Sequence, residues 1–355
     1  MADPTQADVA RAAGVSTALV SIVMRDVPGA SDETRTRVRR IADDMGYVPD
    51  ERARKLRQSS SRLIGVTFDL QQPFHGDIVE HLYSAAAGHG YDLAISAVAP
   101  TRDEDTALRA LLRERCEVAV MLGPNSSVEA LSAMAARVPL LVVARRSEVG
   151  GVSSVRSDDV EGVGLAVDHL VSLGHRHLVH VDGGTAPGAD DRRDGFAAAV
   201  ERHGITGTSR VVPGGATEQD GAATVDALLE AGHRPTAVVA FNDRCAAGVL
   251  DALVRRRIDV PEEISVIGYD DSRLAVGPHA QMSTISQNAA DMAEGAIDGA
   301  LDLLSGGTPH DVVLKPQLVA RSTTGSAPAR RRRDVGRDSI TRPDGGSLAP
   351  QAAER

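Results

Sequence analysis

The chain has 355 residues, of which 42% are hydrophobic and 25% charged, and this length and composition predict a globular protein of two or three domains. It has no run of about 18 apolar residues, and its first residues lack the apolar core of an export signal, so we expect a cytoplasmic protein without membrane contact. The formal net charge of -10 argues against general coating of nucleic acid, although cationic residues are enriched at both ends. Cys116 and Cys245 lie in separate apolar segments, which favours buried thiols over a disulfide or a metal site.

Two short helices joined by a turn are predicted at the start of the chain. Thr5 and Asp8 form a capping-box pattern, Gly14 ends the first helix, and Ser16 caps the second. The inner face of the second helix consists of Leu19, Val20 and Val23. Its outer face consists of Thr17, Ala18, Ser21 and Ile22. This pattern is typical of a helix-turn-helix, whose second helix lies in the major groove of DNA, although any small helical hairpin shares it.

A third helix and a basic segment follow this pair. The helix is predicted to begin at Ser31, to bury residues at helical spacing as far as Met45, and to end at Gly46. Residues 50–57 form a short basic segment, which indicates a hinge, and the polar residues 58–62 indicate a linker. Three helices and a basic hinge ahead of a larger body favour the DNA-binding interpretation over a structural hairpin.

From residue 63 to about residue 325, strand-like and helix-like segments alternate. Strands are predicted at residues 63–68, 92–98, 118–122, 140–144, 178–182, 237–241, 264–268, 312–314 and 318–320. Helices are predicted at residues 75–88, 101–115, 127–137, 162–173, 192–203, 217–231, 243–256 and 289–304, and Thr101 with Glu104 is expected to cap the second of these. The alternation predicts parallel sheets with helices on both faces, arranged as two successive doubly wound α/β lobes.

Motifs for enzyme chemistry are incomplete in this chain. Gly162-Val163-Gly164 begins like a dinucleotide-binding loop, but Val167 stands where the third glycine belongs. No nucleophile elbow or phosphate-binding loop is present. The cluster of His175, His177 and His180 enters a strand that points them to both faces, so we favour a solvated helix-strand corner over a zinc site. We therefore predict no catalytic residues, no metal and no cofactor.

Many short motifs stand at fixed spacing in the first 66 residues. They are Thr5-x-x-Asp8-Val9-Ala10-x-x-Ala13-Gly14-Val15-Ser16, Val20-Ser21, Thr34-Arg35, Gly46-Tyr47-x-Pro49, Ala53-x-x-Leu56 and Ile64-Gly65-Val66. In these the chain resembles the lac repressor family of bacterial transcription regulators. The resemblance implies a DNA-binding headpiece at residues 1–49, a hinge helix and linker at residues 50–62, and a two-lobed effector-binding and dimerisation core at residues 63–325, like periplasmic sugar-binding proteins. Residues 326–355 lack apolar periodicity, which predicts a disordered tail.

The resemblance also implies which residues contact DNA. They are Thr5, Ser16, Thr17, Ala18, Ser21 and Ile22 in the headpiece, and Ala53 and Leu56 in the hinge. Leu56 matches the leucine that wedges between base pairs in the minor groove and kinks the duplex; its alternative role is to pack on the core. Ile22 stands where the family commonly has arginine, so operator specificity does not follow from the resemblance.

Three motifs in the core stand at strand ends, where open α/β sheets bind ligands. They are Arg192-Arg193-Asp194-Gly195-Phe196, Phe241-Asn242-Asp243 and Gly268-Tyr269-Asp270-Asp271. The resemblance implies that the effector is bound by Arg192, Asn242 and Asp270 of the distal lobe and by Asp69 and Phe74 of the proximal lobe, with Asp243 as a helix cap. Ala144 and Ala216 stand where the lactose-binding relative has an aspartate and a stacking tryptophan, so a lactose-like effector is not implied.

These patterns together predict a repressor that binds a palindromic double-stranded operator as a homodimer and responds to a small, sugar-like effector. Two alternatives use the same two-lobed α/β fold. A solute-binding protein of a transporter would carry an export signal and would not need the first 57 residues. An enzyme is opposed by the missing catalytic motifs, since the fold alone does not decide the function.

Overall fold

The computed structural model describes residues 4–47, 60–277 and 280–329 of the chain. The first described segment forms three helices, α1 (Gln6–Ala13), α2 (Thr17–Met24) and α3 (Asp32–Asp44). Their shared core consists of Val9, Ala10, Ala13, Val20, Val23, Val38 and Ala42. The predicted hinge residues Ala53 and Leu56, and the tail beyond residue 329, lie outside the described residues.

The predicted caps of the first two helices are confirmed. The hydroxyl of Thr5 accepts a hydrogen bond from the amide of Asp8 at 3.3 Å, and the carboxylate of Asp8 accepts one from the amide of Thr5 at 2.9 Å. Gly14 has a φ of 63°, the left-handed conformation that ends a helix. The hydroxyl of Ser16 then accepts from the amide of Leu19 at 3.2 Å. These local bonds fix the turn between α1 and α2 and produce the helix-turn-helix.

The rest of the described chain forms strands and helices in alternation. The strands are β1 (Leu63–Asp69), β2 (Asp92–Val98), β3 (Val118–Leu122), β4 (Leu140–Val143), β5 (Ser153–Ser157), β6 (Leu178–Val181), β7 (Arg210–Val212), β8 (Ala237–Ala240), β9 (Ser265–Ile267), β10 (Val276–Gly277), β11 (Ala280–Gln281), β12 (Thr284–Ser286), β13 (Asp311–Leu314) and β14 (Gln317–Val319). The helices are α4 (Pro73–Gly88), α5 (Glu104–Arg113), α6 (Val128–Ala135), α7 (Asp159–Ser172), α8 (Ala189–Arg202), α9 (Glu218–Glu230), α10 (Asp243–Arg255) and α11 (Ala289–Leu304), with a 3-10 turn at Arg273–Ala275.

Two parallel sheets define two lobes. The proximal sheet has the order β13-β5-β4-β3-β1-β2, and the distal sheet has the order β7-β6-β8-β9. Strands β12 and β14 form a small antiparallel pair that is joined to the distal sheet by bridges at Ser283 and Ser286. Because β13 pairs with β5 after a long distal excursion, the chain crosses between the lobes three times, after β5, after β12 and after β13. The predicted fold class is confirmed.

Each sheet is buried on both of its faces, as expected for parallel strands covered by helices. In the proximal lobe, α4 and α11 cover one face around Ile64, Val120 and Ile297, and α5 and α6 cover the other around Met121 and Leu131. Apolar clusters lie on both sides of the distal sheet as well. The loops at the carboxyl ends of the two sheets are therefore the remaining places where polar side chains can converge.

Several predictions about individual residues are wrong. Helix α5 is capped by Asp103, whose carboxylate accepts a hydrogen bond from the amide of Thr106 at 2.8 Å. The carboxylate of Glu104, which was expected to pair with Thr101, accepts from the amides of Asn125 and Ser126. Thr101 is therefore not its cap. Strands β5, β7, β10, β11 and β12 were not predicted from the sequence. Cys116 and Cys245 are buried, as predicted.

The prediction of a solvated corner is wrong for His175 and His180, while His177 is partly exposed. His175 is fully buried and bonds to the hydroxyl of Thr236 and the carbonyl of Gly325, both at 3.0 Å. His180 is fully buried under the sheet, where its ring stacks on Phe196 with centroids 5.4 Å apart. Both imidazoles are therefore parts of the distal core.

Among the described residues, no single helix is long and apolar enough to cross a membrane. The helices Gln6–Ala13 and Thr17–Met24 together have the length and apolar composition of a membrane span, but the chain bends by 103° between them.

Candidate functional site

A cavity of about 250 Å³ lies between the two lobes at the carboxyl ends of their strands. The five residues predicted to bind an effector all line it: Asp69, Phe74, Arg192, Asn242 and Asp270. Ala144 and Ala216 line it too. The structure thus brings together, across the interlobe gap, residues that are up to 201 positions apart in the sequence. Their roles in binding remain a proposal.

The proximal wall of the cavity is formed where β1 passes into α4. Asp69 ends β1, and its carboxylate accepts from the amide of Gln71 at 2.8 Å. Phe74 is 4% exposed, so most of its ring packs in the proximal core and only an edge is left for the cavity. His75, which the sequence did not single out, also lines the cavity and accepts from the amide of Asp69 at 3.1 Å.

Arg192 projects from α8 into the distal wall and is 4% exposed. Its Nε donates to the carboxylate of Asp159 at 2.9 Å, and its Nη1 donates to the carbonyl of Phe241 at 2.7 Å. The guanidinium carbon lies 3.7 Å from the ring centroid of Tyr269, a cation-π contact. Two of the five N–H donors of this arginine, on Nε and Nη1, are thus bonded to protein groups, and its position in the wall of the cavity is fixed by these bonds and by Tyr269.

Asp270 follows β9 and lies beside Arg192. Its Oδ1 is 3.9 Å from Nη2 of Arg192 and accepts from the side-chain amide of Gln287 at 2.7 Å. Burial raises the pKa of Asp270 well above its ordinary value, against the opposing charge of Arg192. Its backbone φ of 117° is in the left-handed region, which costs free energy for a residue with a side chain. The chain therefore holds this carboxyl in an unfavourable place, which is typical of functional sites.

Asn242, and not Asp243, caps the helix α10. Asn242 is the cap of α10, because its Oδ1 accepts from the amide of Cys245 at 2.8 Å, and its amide nitrogen donates to the carbonyl of Ala216 at 3.2 Å. Asp243 is the first residue of the helix and is fully buried. Its carboxylate accepts from Ser272 and Thr284, bonds that join α10 to the loop after β9 and to β12. The predicted cap role of Asp243 is therefore wrong.

A second arginine, Arg244, lines the cavity next to Asn242. Its guanidinium is bonded to the carboxylate of Glu218, with Nη2 at 2.6 Å from Oε2 and Nε at 3.1 Å from both oxygens. Glu218 is the first residue of α9, after the cap residue Thr217. This ion pair joins the beginnings of α9 and α10 at the rim of the cavity.

An ion pair at Arg273 connects the two lobes directly. Arg273 of the distal lobe contacts Asp77 of α4 in the proximal lobe, with the guanidinium 2.6 Å from Oδ1 and the backbone amide 3.1 Å from Oδ2. Glu80, one turn further along α4, is 3.6 Å from the same guanidinium. The contact lies outside the cavity and depends on how closely the lobes approach.

In the headpiece, the residues predicted to contact DNA are Thr5, which caps α1, and residues of α2 and its cap. Thr5, Ser16, Thr17 and Ala18 are exposed, and Ser21 and Ile22 are half-buried. A methyl group added at Gly29 would touch Ile22 at 3.5 Å, so the following turn covers part of that side chain. A helix-turn-helix with an accessible second helix, joined to a two-lobed α/β core, defines a DNA-binding transcription regulator.

Comparisons with known proteins also indicate a DNA-binding transcription regulator. Residues 5–50 match the family described as bacterial regulatory proteins, lacI family, and residues 167–324 match a periplasmic binding protein-like domain. The HTH-type transcriptional regulator GalR of Escherichia coli (strain K12) is 32% identical over 321 residues, which cover 88% of this chain and 94% of that protein. The chain therefore belongs to the lacI family of bacterial regulatory proteins, and it is a regulator and not an enzyme.

Solved structures show the same architecture. The crystal structure of a LacI transcriptional regulator from a Rhodococcus species is 59% identical and covers 75% of this chain and all of its own, with a TM-score of 0.74. A crystal structure of the lac repressor dimer bound to operator and the anti-inducer ONPF is 28% identical and covers 91% of this chain and 100% of that one, with a TM-score of 0.76. A solute-binding protein or an enzyme on this fold is not favoured.

Proposed function

We propose that the chain is a homodimeric, cytoplasmic repressor that binds a palindromic operator and is controlled by a small, sugar-like effector between the lobes. The outer residues of α2 read bases, since an accessible helix surface fits the major groove. They are Ser16, Thr17, Ala18, Ser21 and Ile22, and Thr5 adds a contact at the start of α1. In the hinge, Ala53 and Leu56 contact the minor groove. The lac repressor, to which the chain is similar, is a dimer on its operator.

Exposed apolar residues support the dimer. Strand β2 is the edge of the proximal sheet and exposes Ile95, and Tyr83 of α4 and Leu70 at the end of β1 are exposed as well. Val254 of α10 is 71% exposed in the distal lobe. Large exposed apolar side chains at an unpaired sheet edge are the kind of surface that a second subunit covers.

The observation that carries the proposal is the polar cavity between the lobes. Its volume of about 250 Å³ is close to the lower limit of small-molecule sites, which begins at roughly 300 Å³, so the effector is the size of a monosaccharide or a nucleobase. Amide, carboxylate and guanidinium groups line it, together with the rings of Phe74, His75 and Phe241 and the small residues Ala144, Ala186, Pro187 and Ala216. Such a lining suits a molecule with several hydroxyl or ring-nitrogen groups.

A ligand screen tests this proposal. Thermal unfolding of the full-length protein with mono- and disaccharides, nucleosides and purines should give one chemical class that raises the unfolding temperature, because binding to the native state alone stabilises it. The same compounds should change the affinity for an operator obtained by binding-site selection. Asn242→Ser keeps a capping oxygen but removes the amide, and it should weaken the hit about tenfold while operator binding without ligand is unchanged. A hit that binds both proteins equally would place the effector elsewhere.

The Arg273–Asp77 ion pair should favour the closed arrangement of the lobes. Arg273→Gln or Asp77→Asn is expected to shift the equilibrium between closed and open lobes by about 0.2–1 kcal/mol, the usual range for an exposed pair, or by up to about fivefold in the equilibrium constant. Small-angle X-ray scattering of the ligand-free protein should then show a larger radius of gyration in both variants. The double variant should show no further increase, because either change removes the same contact. Additive increases would mean that the two residues do not act as a pair.

A further inference from the structure

His75 presents one ring nitrogen to the interlobe cavity. The residue lies in the first turn of α4, is 8% exposed and lines the cavity beside Asp69. Its Nδ1 accepts from the amide of Asp69 at 3.1 Å. A neutral imidazole carries its single proton on the nitrogen that does not accept, so this bond places the proton on Nε2.

The imidazole is neutral where the protein works. Burial lowers the pKa of His75 to about 4, and the carboxylate of Asp69 opposes this only in part. Nε2 is therefore an uncharged N–H donor at neutral pH. It makes no hydrogen bond within residues 4–47, 60–277 and 280–329, and it is not fully enclosed by protein, because the residue lines the open cavity. An N–H donor in the wall of a cavity, with no partner from the protein, is available to an acceptor atom of a ligand.

The end of β3 leaves room for this orientation. Gly123 follows β3 and also lines the cavity, and a Cβ at that position would be 2.8 Å from Nε2 of His75. Its φ of 46° further disfavours any residue with a side chain. The backbone at Gly123 is held in place because its amide donates to the carbonyl of Val143 at 2.8 Å. The glycine thus keeps the edge of the imidazole open toward the cavity.

The charges around the cavity restrict which ligands fit this donor. Among the described residues that line it, the arginines are Arg192 and Arg244, and each already contacts a protein carboxylate, that of Asp159 and of Glu218 respectively. Asp69 adds a further carboxylate at the rim. A phosphate or carboxylate on a ligand would meet no uncommitted cation here, and burying an unpaired charge is costly.

We propose that His75 is a specificity-determining residue of the cavity: its Nε2–H donates to a hydroxyl oxygen or ring nitrogen of an uncharged effector, and the site discriminates against the phosphorylated form of the same molecule. This inference rests on the proposed function of the cavity as the effector site. Beyond the proposed function, it states that the effector is uncharged and that His75 recognises it.

Calorimetry of the full-length protein tests both parts. The probes are glucose, galactose, fructose, ribose, adenosine and guanosine, each beside its monophosphate. We expect an uncharged probe to bind at least about tenfold more tightly than its phosphate. His75→Asn keeps an acceptor near the Asp69 amide but withdraws the donor, and it should weaken that probe about tenfold. His75→Gln carries an N–H donor at nearly the position of Nε2 and should recover most of the affinity.

The outcomes separate this inference from the function on which it rests. If a probe binds the wild type and is weakened by Asn242→Ser but not by His75→Asn, the cavity is the effector site and the role of His75 is refuted. A phosphate that binds as tightly as its parent compound refutes the selectivity without any variant. If no probe binds the wild type, or if binding is unaffected by both variants, the proposed effector site fails and the inference fails with it.

Discussion

Replacing Arg192 with methionine is expected to lower the free energy of unfolding of the core by about 3–5 kcal/mol. The guanidinium is buried between the ring of Tyr269 and the carboxylate of Asp159, and methionine fills a similar volume without the charge. The variant leaves Asp159 and Asp270, which are 6% and 8% exposed, without their cation. The loss comes from these stranded carboxylates, because breaking a buried ion pair costs far more than an exposed one contributes.

The neighbouring residue provides a matched control. Arg193 is on the same helix but its side chain is 37% exposed, and it contacts the exposed Asp190 and the partly buried Asp182. Arg193→Met should therefore lose only about 0–1 kcal/mol. Urea unfolding followed by far-ultraviolet circular dichroism compares the two, since the chain has no tryptophan. Equal losses in both variants would contradict the assignment of Arg192 as a buried structural cation.

The pH dependence of this loss has a definite sign. Burial raises the pKa of Asp270 above its ordinary value of 3.8, so its contribution to stability is lost as the pH rises from 3.8 through the pKa in the folded protein. The charge of Arg192 restrains that rise in pKa. Without the arginine the carboxyl stays protonated to higher pH, and the deficit of Arg192→Met should be smaller at about pH 5 than at about pH 8.

Most of the fold follows from patterns that local sequence carries. The strands Asp92–Val98 and Val118–Leu122 and the helix Ala289–Leu304 have the predicted bounds, because each has a clear period or apolar run. Strand β5 escaped prediction since Ser153, Ser154 and Ser157 are buried polar residues in a strand whose sequence has no apolar run. Strand β7 is a three-residue, largely exposed edge. Such strands exist because their neighbours in the sheet pair with them, which no local pattern encodes.

The residues that line the cavity could be predicted from the sequence, but their hydrogen-bond partners could not. Strand ends of parallel sheets converge, so motifs at those ends identify lining residues such as Asn242 and Asp270. The partner of Arg192 is Asp159, which lies 33 positions away on another helix, and no spacing rule connects them. His75 was missed for a similar reason, because beside Phe74 its sequence position is typical of one more core residue of α4. Its ring is oriented toward the cavity by the hydrogen bond from the amide of Asp69, which the sequence does not show.

The largest packing effect is expected at Gly248, where α9 and α10 cross. A Cβ at this position would overlap the carbonyl oxygen of Glu218 and lie 2.6 Å from its carbonyl carbon. The reciprocal contact occurs at Gly221, whose Cβ would lie 2.9 Å from the carbonyl carbon of Cys245. Backbone cannot yield as a flexible side chain does, so Gly248→Ala must separate the helices and should cost about 3 kcal/mol or more.

A helical glycine elsewhere in the distal lobe controls for the change of residue. Gly164 of α7 has only the far end of Arg202 near its missing Cβ, at 3.9 Å, so Gly164→Ala should be neutral or add about 0.5–1 kcal/mol through helix propensity. Because Thr217 and Asn242 begin the two helices that cross at Gly248, separating them also moves that wall of the cavity. Gly248→Ala should therefore lose effector affinity at a temperature where it is still folded, while the headpiece keeps its affinity for operator. Unfolding curves of both variants measure the loss of stability, and effector titrations of both measure the loss of affinity. If Gly248→Ala were as stable as Gly164→Ala, the two helices would not pack backbone against backbone.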